Sequence, residues 1–195
     1  REFRGVNDPF EILGLSRGLA ISSERIDKAY REASRRLHPD SGGEEEDFQE
    51  MAEAAELLKS PSRRLRWAIE STKSAWDGRG SVPTSVMDLF SPVAEVIQKV
   101  DQFALERGNS KSALGRAVLD ARVPELKREL EYVLQSVSDE EADLLEACKE
   151  FDRRGWLELA EQMGEVARGL SFLEKWQGEI RAATGKLFQA LLGGL

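Results

Sequence analysis

Apolar side chains recur at three- and four-residue intervals along almost the whole of this chain, and β-branched residues seldom alternate with polar ones. That period puts apolar groups on one face of a helix and scrambles them across the two faces of a strand, so it points to an all-α fold. Ala, Leu, Glu, Lys and Arg, all good helix formers, dominate between the joints. The clearest joint is Asp77-Gly78-Arg79-Gly80-Ser81-Val82-Pro83-Thr84, with helical patterns on both sides. A chain of 195 residues with 41% apolar content can bury one good core or two small ones. The expected organisation is a first domain over 1–76, a linker over 77–84 and a helical bundle over 85–195.

In the first half, Asp8 is placed to cap a short helix whose first helical residue is Pro9 and which Gly14 ends, with Phe10, Ile12 and Leu13 inward. A second helix is predicted from after Ser22 to about Leu37. Its stripe is Ile26, Ala29, Tyr30, Ala33 and Leu37, and its opposite face carries Arg25, Lys28, Arg31 and Arg35. Pro39 disfavours helical dihedrals at His38 and stops it there. After Gly42-Gly43, a third helix from about Glu45 to Lys59 would bury Phe48, Met51, Ala55 and Leu58. Ser60-Pro61 restarts the chain as a fourth, from about Ser62 to Thr72, with Leu65, Ala68 and Ile69 inward.

The second half reads as longer helices. Ser91-Pro92 suggests a cap and a first-turn proline before the stripe Val93, Val96, Ile97, Val100, Phe103 and Ala104, which Gly108-Asn109 ends. A shorter segment around Ala113 to Ala121 leads to Pro124. Beyond it Leu126, Leu130, Val133, Leu134 and Val137 continue the pattern. Ser138 and Glu141 have capping-box spacing, for a new helix or for one that continues through this point. The last helix, from about Trp156 to Leu192, carries Leu159, Met163, Val166, Leu170, Leu173, Ile180, Leu187 and Leu191 on the seam of a packed bundle, interrupted at Gln177 and Thr184.

Composition excludes several classes of function. With 28 basic against 36 acidic side chains the chain carries a net negative charge, which argues against a general nucleic-acid binder while leaving room for local basic patches. Its single cysteine, Cys148, cannot form an internal disulfide and reads as a small buried side chain. No metal site and no cofactor are expected. No apolar run approaches the roughly 20 residues needed to cross a bilayer, and Arg1 to Phe10 lacks the apolar core of a secretory signal. The expectation is a reducing, cytoplasmic setting without a membrane partner. His38 is the only histidine and no serine or cysteine stands in a nucleophile motif, so no catalytic residue and no enzyme activity are expected. Glu44-Glu45-Glu46-Asp47 lacks the spaced ligands and glycine of a calcium loop and suits the first turn of a helix. Thr184-Gly185-Lys186 lacks the glycine-rich loop of a phosphate site.

The most informative residues are His38-Pro39-Asp40, which follow a helix with one basic face and precede a glycine loop and another helix. In this setting Asp8-Pro9-Phe10-Glu11-Ile12-Leu13-Gly14-Leu15, Ala29-Tyr30-Arg31 and Ser60-Pro61-Ser62-Arg63-Arg64 resemble the J-domain family in order and spacing, over Asn7 to about Thr72. The resemblance implies an antiparallel helical hairpin carrying a His-Pro-Asp loop. It further implies docking on a DnaK-type chaperone, whose ATP hydrolysis the J-domain promotes. Carried onto this chain, Lys28, Arg31, Arg35 and Arg36 would attract an acidic partner surface. His38 and Asp40 would make the specific contacts, with Pro39 fixing the turn. Without the tripeptide, the same cations would read as a solvated helix face.

Ser16-Arg17-Gly18-Leu19-Ala20-Ile21-Ser22 is longer than the ordinary loop of that family and resembles the loop of HscB co-chaperones, which also end in a helical bundle. Arg168-Gly169-Leu170-Ser171-Phe172-Leu173-Glu174-Lys175 and Val86-Met87-Asp88-Leu89-Phe90 resemble segments with which HscB proteins bind an iron-sulfur scaffold. Val86, Met87, Phe90 and Phe172 therefore become candidates for a client surface, or else complete the bundle core. Several positions depart from the pattern. Ser91 and Ala94 stand where that family has acidic residues, Leu37 replaces an aromatic, Ala52 replaces an asparagine, and the segment 113–121 has no counterpart. The leading expectation is a J-domain co-chaperone delivering a client, with an unrelated client or a non-stimulating adaptor as alternatives.

Overall fold

The computed structural model describes residues 8–37, 45–72 and 74–192, except the side chains of Arg36 and Leu37. The described residues are helical with no strand among them, as the periodicity requires. The helices are α1 (Pro9–Ile12), α2 (Ser23–Leu37), α3 (Glu45–Lys59), α4 (Pro61–Ser71), α5 (Thr84–Asp88), α6 (Phe90–Asn109), α7 (Ala113–Asp120), α8 (Val123–Arg154) and α9 (Ala160–Leu192). By internal contacts the chain forms two units, one of Arg1–Ser81 with Asp143–Ser171 and one of Val82–Ala142 with Phe172–Leu195.

In the first unit, local chemistry sets the helix ends. The Asp8 carboxylate accepts the Phe10 N–H at 2.9 Å, Pro9 opens α1, and Gly14, at a φ of 66° that favours glycine, turns the chain away. Ser60 caps α4 by accepting the Arg63 N–H, with Pro61 in the first turn. Lys59 meets Asp27 at 2.7 Å and Ser34 meets the Met51 sulfur, so the end of α3 lies beside the start of α2 and the two are antiparallel. α1 and α2 both pack on α3, and α4 follows it. Phe10, Leu19, Ile26, Ala33, Met51, Leu58 and Leu65 are fully buried at the contacts. From the later segment, Cys148, Phe151, Leu159, Met163 and Leu170 are buried as well. The ring of Trp67 lies 5.6 Å from that of Phe10 and stands edge-on to Trp156 at 6.3 Å. Arg64, on the buried side of α4, donates to the Leu58 carbonyl at 2.5 Å. Arg168 of α9 donates to the carbonyls of Ser81 and Asp77, at 2.7 and 3.1 Å. Gly80, at φ 136°, admits that guanidinium where a Cβ would lie only 2.8 Å from it.

The second unit corrects several local expectations. Ser91 is not a cap: α6 begins at Phe90 directly after α5, and the Ser91 hydroxyl donates to Glu95. The segment after Ser112 is a true helix, α7, because the Ser112 hydroxyl accepts the Gly115 N–H, yet none of its residues is buried. Of the two readings of Ser138, the continuing helix is the one formed: α8 runs through it, and its hydroxyl donates back to the Leu134 carbonyl at 2.9 Å. Where the seam of α9 was broken at Gln177 and Thr184, the buried residues are Trp176 and Ala183, one position earlier. Gln177 instead donates to Glu141 at 2.6 Å. Arg107 is buried and closes this unit's α6 end, forking onto both oxygens of Asp120 and onto the Ala190 carbonyl. Its bonds to Asp120 hold that carboxyl below the usual carboxylate range. α9 itself starts at Ala160, after Gly155 (φ 88°) and a single 3-10 turn over Leu157–Leu159.

Candidate functional site

α2 buries Ile26, Ala29 and Ala33, so residues three and four apart on its far side are forced outward together. Arg25, Lys28, Arg31 and Arg35 all stand exposed on that side. The helix also contains Glu24, Asp27 and Glu32, which could neutralise the row. Asp27 is turned to Lys59, whose hydrogen bond holds its carboxyl below the ordinary value, with the charges of Lys59 and Arg31 adding to the effect. Glu32 approaches Lys28 only at 4.0 Å, between two well-exposed side chains, which leaves the pair largely solvated. The outcome is a cationic row along one helix face. At its Arg35 end lies an open groove of about 570 Å³, floored by Leu13, Gly14 and Ala29 and bordered by Glu32. His38, Pro39 and Asp40 lie outside the described residues, as does the Arg36 side chain.

The other candidates gather in the second unit. Phe90 and Phe172 both meet Trp176, at ring separations of 5.8 and 5.6 Å. Met87 and Phe90 are each over half exposed, at 53% and 54%, and stand three residues apart. Phe172 is half-buried and Val86 is completely buried, so Val86 lies beneath this surface and not on it. Trp176 is buried, which makes it the floor that unites the two phenylalanines.

Cys148 has no exposed sulfur to offer: burial pushes its thiol up to about 12, with Arg64 opposing and Asp152 reinforcing the shift. Among the described residues no group of His, Cys, Asp and Glu is arranged to hold a metal ion, and no helix is long and apolar enough to cross a membrane. One pair escaped the sequence reading entirely. The Asp152 carboxylate accepts the N–H of Leu19, at 2.9 and 2.8 Å to its two oxygens, and that of Ala20 at 3.2 Å. The apolar run Leu19-Ala20-Ile21 marks the loop as packed down, but nothing in it points to Asp152.

Comparison with known proteins agrees with the geometry of the first unit. Residues 8–67 match the family model described as DnaJ domain. The chain is similar to a DnaJ protein homolog of Cucumis sativus, 46% identical over 55 residues that cover 28% of this chain and 13% of that protein. It is also similar to Chaperone protein DnaJ 1 of Cutibacterium acnes, 29% identical over 154 residues covering 76% and 39% of the two chains. Chaperone protein DnaJ of Listeria monocytogenes is 40% identical over 63 residues, 31% of this chain and 16% of that one. The chain thus spans well under half the length of each of these relatives. No solved structure gives a significant match. The amino-terminal segment is therefore a J-domain of the DnaJ family, followed by a helical carboxy-terminal region.

Proposed function

We propose that this chain is a J-domain co-chaperone: it docks on a DnaK-type chaperone, raises that partner's rate of ATP hydrolysis, and brings it a protein client bound by the helical region after the 77–84 joint. The observation that carries this reading is the exposed row Lys28, Arg31 and Arg35, with Asp27 turned to Lys59 and Glu32 only loosely paired with Lys28, leading in sequence straight to His38-Pro39-Asp40. Several like charges on one rigid face steer an acidic surface into register. Arg36 extends the row in sequence, His38 and Asp40 would supply the specific contacts, and Pro39 would restrict the turn that presents them. The chemistry belongs to the partner, so no catalytic residue is needed here. Turnover of ATP by a DnaK-type chaperone, measured with the wild type and with His38→Gln, tests the reading. Stimulation that the substitution abolishes supports it. No stimulation, or stimulation indifferent to the substitution, overturns it.

For the client we propose the scaffold on which iron-sulfur clusters are assembled, the HscB-type role. Its support is the likeness of segments 86–90 and 168–175 to HscB proteins, together with the exposure of Met87 and Phe90 and the packing of both Phe90 and Phe172 on Trp176. A pull-down in which the wild type retains no scaffold ends this part of the proposal and leaves the co-chaperone reading standing.

A further inference from the structure

The loop that leads into α2 is anchored by a residue far beyond the DnaJ match. Leu19, at the centre of that loop, is fully buried, and its N–H is shared between both oxygens of Asp152 while Ala20 donates to one of them. Trp156 holds the same carboxylate, its indole N–H donating at 3.1 Å, and Trp156 is itself set against Trp67 and through it Phe10. Asp152 stands in the last turn of α8, where the helix dipole disfavours negative charge. An acid there gains nothing from its own helix; what it gains is charge-assisted hydrogen bonds from the loop, the stronger kind. Three residues after Leu19, the Ser22 hydroxyl accepts the Arg25 N–H at the start of α2, so a loop fixed at Leu19 fixes the entry of the cationic helix.

We propose that Asp152 is a positioning residue of the J-domain: by holding the Ser16–Ser22 loop it sets how α2 is presented to a chaperone partner. The inference rests on the co-chaperone reading. It makes the working J-domain a composite of residues 8–67 and the 143–171 segment, two stretches that belong to one contact unit.

The test uses the full chain as wild type, Asp152→Asn and Asp152→Ala, with two readouts: amide hydrogen exchange at Leu19 and Ala20, and the concentration giving half-maximal stimulation of a DnaK-type ATPase. In Asp152→Ala the two amides are expected to exchange on the order of tenfold faster, the size of one charge-assisted hydrogen bond, while α3 amides keep their protection. The half-maximal concentration rises with the plateau rate unchanged, and Asp152→Asn, which keeps one carbonyl acceptor, falls between. Unchanged exchange at Leu19 and Ala20 overturns the inference. So does loop opening without a change in half-maximal concentration, or a loss of protection that extends equally to α3, which would make Asp152 merely structural. A wild type that stimulates nothing removes the co-chaperone reading itself, whereas a stimulating wild type matched by both variants removes only this inference.

Discussion

The ring of Phe90 stands edge-on to the indole of Trp176, with centroids 5.8 Å apart and planes at 80°. The tryptophan is buried while the phenylalanine is half in solvent, so the two have different work to do although they touch. Phe90→Ala and Phe172→Ala are expected to weaken client binding by tenfold or more, on the scale of about 2 kcal/mol for an aromatic contact at an interface centre, with little loss of helix content. Trp176→Ala should instead destabilise the fold by about 3–5 kcal/mol, the usual cost of emptying a core aromatic site. Binding assays and denaturant midpoints on the three variants separate the roles. If Phe90→Ala binds the client normally, its exposure is incidental.

The cationic row yields a prediction with a built-in control. Reversing Lys28, Arg31 and Arg35 to Glu should raise the concentration needed for half-maximal ATPase stimulation by on the order of tenfold or more near 0.1 M salt. The gap between wild type and variant should narrow as salt increases, because the screening length falls from about 10 Å at 0.1 M to about 3 Å at 1 M. Reversing two cations elsewhere, Lys127 and Arg128, exposed on α8, should leave stimulation unchanged.

Phe10 belongs to the J-domain core and not to its docking face, being fully buried against Trp67. Phe10→Ala should cost about 3–5 kcal/mol of stability, read as a lowered denaturant midpoint. Stimulation should remain at temperatures where the variant stays folded. A lowered plateau in a variant whose circular dichroism is still native would show that the core assignment misses a contact role.

What could be read without coordinates divides along the range of the interactions. Helix boundaries near Asp8, Ser60 and Pro61 follow from side chains acting on backbone groups two or three residues away, and those signals are complete in a short window. The cationic face of α2 was legible for the same reason: the buried stripe of Ile26, Ala29 and Ala33 forces it outward. The break in the α9 seam was misjudged because Trp176 and Ala183 are adjacent to the polar Gln177 and Thr184, and which neighbour faces inward depends on what packs there. Ser138 and Glu141 have cap spacing, but a helix already running does not restart, and the hydroxyl bonds to the preceding turn instead. Asp152 was invisible as an anchor because its partners, Leu19 and Ala20, lie at the opposite end of the sequence and are bound through backbone groups that leave no trace in residue type.

Cys148 offers a test of the buried seam that needs no partner. Its thiol is pushed from an ordinary 9.0 up to about 12 because burial disfavours the thiolate, so the folded chain keeps the proton where the unfolded chain loses it. Below pH 9 both states hold the proton and its contribution is fully present. As pH rises from 9 towards 12 the unfolded state binds fewer protons than the folded one, and stability must fall by up to about 1.4 kcal/mol per pH unit. Cys148→Ala removes that slope, at the cost of a small cavity felt equally at every pH. Unfolding free energies of the two proteins, followed from pH 7.5 to about 10.5, should therefore converge as alkalinity increases. Parallel curves would mean the thiol ionises as easily in the fold as out of it, and a native chain labelled quickly by a thiol reagent at pH 8 would say the same.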